Sequence, residues 1–182
     1  MAILIAWLLG GGVGYIGGTY FQASPVTVGT ASTSIQVRFS PGDPCLNFID
    51  AAIAKARDTI LVHAYGFTSF TVAEALIKAH ERGVSVQILV DRSQLTAKST
   101  KVHLVAEKGI PVFIDGVPGI AHNKVMIIDD GYVLTGSFNW TDAAEKRNAE
   151  NLLLVKDKNL NKIYRKNWNK RASNAQAFQL PH

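Results

Sequence analysis

Cysteine is nearly missing from this 182-residue chain. Cys45 stands alone, which excludes an intrachain disulfide framework and any zinc site that needs several thiolates. Charge is missing from the start, since no Asp, Glu, Lys or Arg precedes Arg38; the charge asymmetry that orients membrane segments therefore gives no direction there. Charge is also modest overall, 18% of residues against 47% hydrophobic, which excludes wholesale disorder. The length leaves room for one domain of ordinary size and not for two. What charge there is leans one way: Lys and Arg outnumber Asp and Glu by 19 to 14, a net +5, which favours a polyanionic partner, nucleic acid or anionic lipid.

The uncharged start is apolar from Ala2 to Leu9 and runs through a glycine-rich stretch to Phe21. About 20 such residues suffice to span a bilayer, and Gly10, Gly14 and Gly18 recur at the spacing that lets two membrane helices approach closely. An export signal fits equally, with cleavage near Ala23 or after Gly29-Thr30-Ala31, although Phe21 is a poor residue three positions before the first cut. Residues 1–23 are thus read as a signal peptide or membrane anchor, 24–34 as a linker rich in Ser, Thr, Pro and Gly, and 35–182 as the folded domain. The protein is expected in the periplasm or cell envelope, with residues 2–21 its contact with the membrane.

Short strand patterns then alternate with helical ones. Ile35, Val37 and Phe39 alternate with polar residues as in a strand; Asp43 is placed to cap, and Pro44 to open, a helix whose buried stripe is Ile49, Ala52, Ile53 and Ala56. Thr59 to Phe67 reads as a strand. Thr71 and Glu74 have capping-box spacing for a helix stopping at Gly83. Val84 to Val90 and Pro111 to Ile114 read as strands, with a helix over about Thr100 to Lys108 between them. Lys124–Asp129 and Tyr132–Ser137 flank Asp130-Gly131, the dipeptide of a two-residue hairpin turn. A strand at Asn151–Val155 and a basic helix from about Asn159 to Ala172 complete an α/β chain with a mixed, mostly buried sheet and helices on both faces.

A two-residue turn makes every cross-strand pair of the hairpin sum to 261, so Lys124 faces Ser137, His122 faces Asn139, and all four project from one side. An imidazole, an ammonium, a hydroxyl and an amide together suit a phosphodiester: the imidazole attacks phosphorus, while the others hold the non-bridging oxygens without a metal. Glu150 is the nearest acceptor in chain order for the second ring nitrogen of His122. Asp129 has the opposite parity and reads as an acceptor for turn amides. His63, inside an apolar strand, reads as a core residue.

His122, Lys124 and Asp129 spell H-x-K-x4-D, and Gly136-Ser137-Phe138-Asn139 follows. This string resembles the signature of the phospholipase D superfamily. The Ala64-Tyr65-Gly66-Phe67-Thr68, Arg82-Gly83-Val84 and Asn148-Ala149-Glu150-Asn151 segments resemble its small bacterial endonucleases, so the similarity spans most of residues 34–171. The resemblance implies an α/β/α sandwich and a catalytic set of His122, Lys124, Asp129 and Glu150, with Lys124, Ser137 and Asn139 on the phosphate. It also implies a phosphohistidine on His122, a second histidine to protonate the leaving oxygen, and neither metal nor cofactor.

The chain holds one copy of the motif. None of His63, His80 or His103 begins another, so the second histidine is expected from a homodimer with two motifs meeting on a two-fold axis. The substrate is expected to be DNA, with RNA also within reach of the same chemistry, and a phospholipid is the alternative. The basic tail, with Tyr164 and Trp168 among its Lys and Arg residues, reads either as a track for a phosphate backbone and stacked bases or as a solvated helix face.

Overall fold

A computed structural model describes residues 33–181. The readings made for residues 1–23 and most of the linker fall outside them; Ser34, the linker's last residue, already pairs with Lys156. Among the described residues, no helix is long and apolar enough to cross a membrane.

The strands are β1 (Ser34–Ser40), β2 (Thr59–Ala64), β3 (Ser85–Asp91), β4 (Val112–Asp115), β5 (Lys124–Ile128), β6 (Tyr132–Gly136), β7 (Glu150–Lys156) and β8 (Gln176–Ala177). They form one mixed sheet in the order β1-β7-β6-β5-β2-β3-β4-β8, with β2, β3 and β4 parallel and the other pairs antiparallel. The helices are α1 (Cys45–Ala54), α2 (Phe70–Glu81), α3 (Val102–Glu107), α4 (Asp142–Lys146) and α5 (Lys158–Ala172). Residues of α1, α2 and α3 share the larger core with Val62, Ile88, Met126 and Leu134. On the opposite face Trp168 of α5 packs on Leu61, Leu89, Val125, Ile127 and Val133. The α/β/α layering expected from the order of elements is the one observed, because each buried strand alternates between these two cores.

Two helix starts differ from the sequence expectation. Asp43 does not cap α1: its carboxylate accepts from the Phe39 amide at 2.8 Å and closes the turn that leaves β1. The Leu46 amide is capped instead from α4, by Glu145 at 3.0 Å. In α2 the cap is Ser69 rather than Thr71, since the amides of Thr68 and Ser69 both bind the Trp140 carbonyl and start the helix early. Glu74 pairs with Lys78 one turn on instead of closing a capping box.

The sheet is not buried throughout. The alternation in β1 is that of a strand, as expected, but its apolar residues Ile35, Val37 and Phe39 are 61%, 42% and 58% exposed. They stand at the sheet edge, on the α5 face by register with Val155, Leu153 and Asn151, whereas α5 packs over β2, β4, β5 and β6.

His63 is a core residue, 2% exposed, with Nε2 3.2 Å from Asp115 Oδ2 but off the line of a hydrogen bond. Arg171 of α5 closes on both oxygens of Asp115. Burial pushes the His63 pKa below its ordinary value, although the Asp115 carboxylate pulls the other way. Folding then favours the neutral imidazole, so protonation of the unfolded chain below about pH 6.5 draws stability out, at up to about 1.4 kcal/mol per pH unit. Urea denaturation at pH 7.5 and 5.5 should show this loss in the parent and a smaller one in His63→Gln.

Candidate active site

The hairpin carrying the motif is displaced by one residue from the expected register. Ile128 pairs with Tyr132 and Val125 with Thr135, so pairs sum to 260, Lys124 falls opposite Gly136 rather than Ser137, and the turn has three residues. The cause is Asp129. Its carboxylate accepts from the amides of Arg57, Asp58 and Thr59 at 2.9–3.3 Å, and its own amide donates to the Thr59 carbonyl. It is thereby drawn out of the ladder onto the start of β2 with φ at 48°. Asn161 of α5 secures the turn by donating to the Tyr132 carbonyl at 2.9 Å. Asp129 thus sits at the opposite end of β5 from His122, about 20 Å away at strand rise. Its place in the catalytic set is corrected to a structural one, as an acceptor for the α1–β2 connection and not for its own turn.

The site residues meet at the end of β2. The Tyr65 ring lies 4.4 Å from the His122 ring, tilted by 59°, and 4.7 Å beneath the Lys124 ammonium. Gly66 packs against Asn139: a Cβ at Gly66 would lie 3.2 Å from Asn139 Oδ1 and from Thr141 Cγ2, and the Trp140 amide donates to the Gly66 carbonyl. One dipeptide therefore touches both halves of the motif.

His122 is exposed, while Lys124 is 6% exposed. The Lys124 ammonium donates to the His122 carbonyl at 2.8 Å. Burial lowers its pKa, and the Glu150 charge works against that shift. Glu150 accepts from Asn148 at 3.0 Å, and its charge acts on Lys124.

Ser137 follows a bulge. Its amide and that of Phe138 both donate to the Asn151 carbonyl, two residues against one. The Ser137 hydroxyl accepts from the Asn151 amide at 3.0 Å and from its side chain at 3.3 Å. With both lone pairs engaged, its proton is left to donate to a ligand oxygen. Gly136 makes this approach possible: φ is 154°, and a Cβ would lie 2.2 Å from the Asn151 carbonyl oxygen. Asn139 Oδ1 is buried without a partner, which leaves its amide nitrogen as the end that can meet a ligand.

Sequence reasoning missed two residues that hold the loop before His122. Asp91, 1% exposed, accepts from the Ala121 amide at 2.7 Å and caps the following turn through Ser93. Burial pushes its pKa up, but the hydrogen bonds from Ser93 and Ala121 and the Arg92 charge outweigh it and hold it below the usual carboxylate value. Arg92 donates to the carbonyls of Val117, Pro118 and Gly119. The signal was available: an acid closing an otherwise apolar parallel strand, at the carboxyl end where such sheets place their sites.

The basic helix is largely structural. Trp168 is 4% exposed and donates to the Val62 carbonyl at 2.9 Å, which removes it as a base-stacking platform. Tyr164 packs against the same core. Arg165 is taken up by Thr59 and the Asp129 carbonyl, and Arg171 by Asp115. Lys162, Lys166 and Lys170 remain exposed, four residues apart along one side of α5.

Residues 49–172 match the family model described as "Cardiolipin synthase, PLD-like domain". A Rickettsia conorii protein named phospholipase D is 48% identical over 143 residues, covering 78% of this chain and 72% of that one. Human mitochondrial cardiolipin hydrolase is 32% identical over 116 residues, 64% of this chain and 46% of that one. Among solved structures, the phospholipase D family member Nuc from Salmonella typhimurium superposes with a TM-score of 0.77 at 33% identity, covering 82% of this chain and all of that one. NucT from Helicobacter pylori gives 0.77 at 26%, covering 81% of this chain and all of that one.

Two substitutions separate the structural residues from the chemistry. Asp129→Asn should cost about 1 kcal/mol, the net worth of a typical hydrogen bond, since the Arg57 and Asp58 amides are exposed to water and that of Thr59 is half-buried, with turnover per folded molecule retained; denaturation beside a rate assay reads both. Gly136→Ala should cost roughly 2–4 kcal/mol from strain and overlap and lower turnover as well, because it displaces Ser137.

Proposed function

This chain belongs to the phospholipase D superfamily and is a phosphodiester hydrolase, and on that footing we propose that it is a metal-independent endonuclease acting as a homodimer. The observation that carries the reading is the solitary motif, with an exposed His122 standing on Tyr65 beside a buried Lys124. The match to Nuc and NucT over their whole length supports the same reading, and the free lysines of α5 supply cationic surface for a phosphate backbone.

In the first step a ring nitrogen of His122 attacks phosphorus as the bond to the leaving oxygen breaks, and the second copy's His122 gives that oxygen its proton. Water then attacks the phosphohistidine, passing its proton to that second imidazole, and the P–N bond breaks. Lys124 carries charge opposite the non-bridging oxygens, with the Ser137 hydroxyl and the Asn139 amide as donors. This donor set of an ammonium, a hydroxyl and an amide offsets anionic oxygens directly. The homodimer also gives Ile35, Val37 and Phe39 a partner surface. The apolar, uncharged run of residues 2–21 supports a place in the periplasm or cell envelope, cleaved or anchored.

A second reading, hydrolysis of a phospholipid at the membrane, is favoured by the names of the Rickettsia and human relatives. The two separate in one experiment: plasmid nicking in excess EDTA beside hydrolysis of phosphatidylcholine and cardiolipin. Nicking without lipid turnover is expected, and lipid turnover without nicking overturns the nuclease reading. His122→Ala should lower activity at least a thousandfold, roughly the loss on removing an essential nucleophile. Val37→Asp with Phe39→Arg should yield monomers by sedimentation with activity lost to a similar degree; full activity in those monomers would refute the shared site.

A further inference from the structure

The other face of β1, away from Ile35, Val37 and Phe39, borders a groove of about 300 Å³ between β1, α1 and the hairpin turn. Its floor is apolar, made by Phe48, Ala51, Ala52, Ile128 and Leu154. Its rim is cationic, and two of the cations sit over rings: the Arg38 guanidinium 4.6 Å above Phe48, and the Lys156 ammonium 5.9 Å from the centre of Tyr132. Lys55 is the third. The acid in the lining, Asp129, is already taken by the amides of residues 57–59. Among the described residues, neither Arg38 nor Lys156 is in an ion pair. The groove runs along β1 from the Asp129 end of the sheet to Arg38, which by register stands level with Lys124 three strands away; His122, Lys124, Ser137 and Asn139 do not line it, so the phosphodiester chemistry leaves it unused.

An apolar floor under unneutralised cations complements a molecule with an anionic head and a hydrocarbon tail. The position of the groove narrows the source. Ser34 and Gln36 line its mouth, and only the twelve residues 22–33 separate β1 from the apolar run that ends at Phe21. At full extension they reach about 40 Å, which keeps this end of the domain beside any bilayer that the run enters. A nucleic acid would be drawn by the same cations, but it would set its polar sugar-phosphate chain or a base edge against the aliphatic Ala51, Ala52, Ile128 and Leu154 floor.

We propose that this groove binds an anionic phospholipid of the bilayer, its phosphate on the cationic rim of Arg38, Lys55 and Lys156 and the start of an acyl chain on the Phe48–Leu154 floor. The site orients the domain on a negatively charged membrane and works independently of whether the catalytic substrate is nucleic acid or lipid.

The test titrates dihexanoylphosphatidylglycerol and dihexanoylphosphatidylcholine, below their micelle concentrations, into the full chain carrying His122→Ala to prevent turnover. The glycerol lipid should bind at least tenfold more tightly than the choline lipid. Arg38→Glu with Lys156→Glu should weaken that binding tenfold or more. Ala51→Trp should do the same by filling the groove from an exposed helix position, where the fold is undisturbed. Restored to an intact His122, both variants should hydrolyse bis(p-nitrophenyl) phosphate at the parent rate, which also shows that they fold. Equal binding of the two lipids, glycerol-lipid binding unchanged in both groove variants, or an oligodeoxynucleotide that binds the parent and is itself weakened tenfold by Ala51→Trp would overturn the proposal.

Discussion

The site depends on the packing of one dipeptide, Tyr65-Gly66, between two segments that are remote from it in the chain. The Tyr65 ring positions the His122 imidazole and the Lys124 ammonium, and Gly66, having no side chain, lets the Asn139–Thr141 segment approach its backbone. A side chain at Gly66 would push that segment outward, and a small residue at Tyr65 would leave a buried ammonium without the ring beneath it, exposing its charge to a poorly solvated setting.

Around that contact the carboxylates divide by task according to their partners. Asp129 holds three backbone amides and sets the hairpin register, Asp91 holds the amide just before His122, and Asp115 ties α5 to β4 through Arg171. Each gives its charge to donors fixed in the fold, the arrangement that makes a buried acid tolerable. Glu150 differs, since its charge is felt by Lys124 and counters the effect of burial there. Burial still prevails, and the Lys124 pKa lies below its ordinary value.

Positive charge is divided in the same way. The arginines of α5 are spent on the fold, the lysines of that helix face water, and Arg38 and Lys156 stand over rings beside an apolar groove. The net excess of the sequence is therefore spread over several surfaces, each with its own chemistry.

The layered architecture, the strand and helix order and the motif were legible in the sequence, because apolar periodicity and the H-x-K-x4-D string are local properties of the chain. His63 as a core residue was legible for the same reason. The register of the hairpin was not: Asp130-Gly131 signals a two-residue turn, but a carboxylate docking on amides seventy residues away took Asp129 out of the ladder. The exposed side of β1 and the burial of Trp168 were likewise settled by where α5 lies across the sheet, which no periodicity within either element records. Residue types and their spacing determined which chemistry this protein carries. Tertiary contacts between distant backbone groups and side chains decided which of those residues stand together, since a hydrogen bond or a ring contact acts through space and is indifferent to separation along the chain.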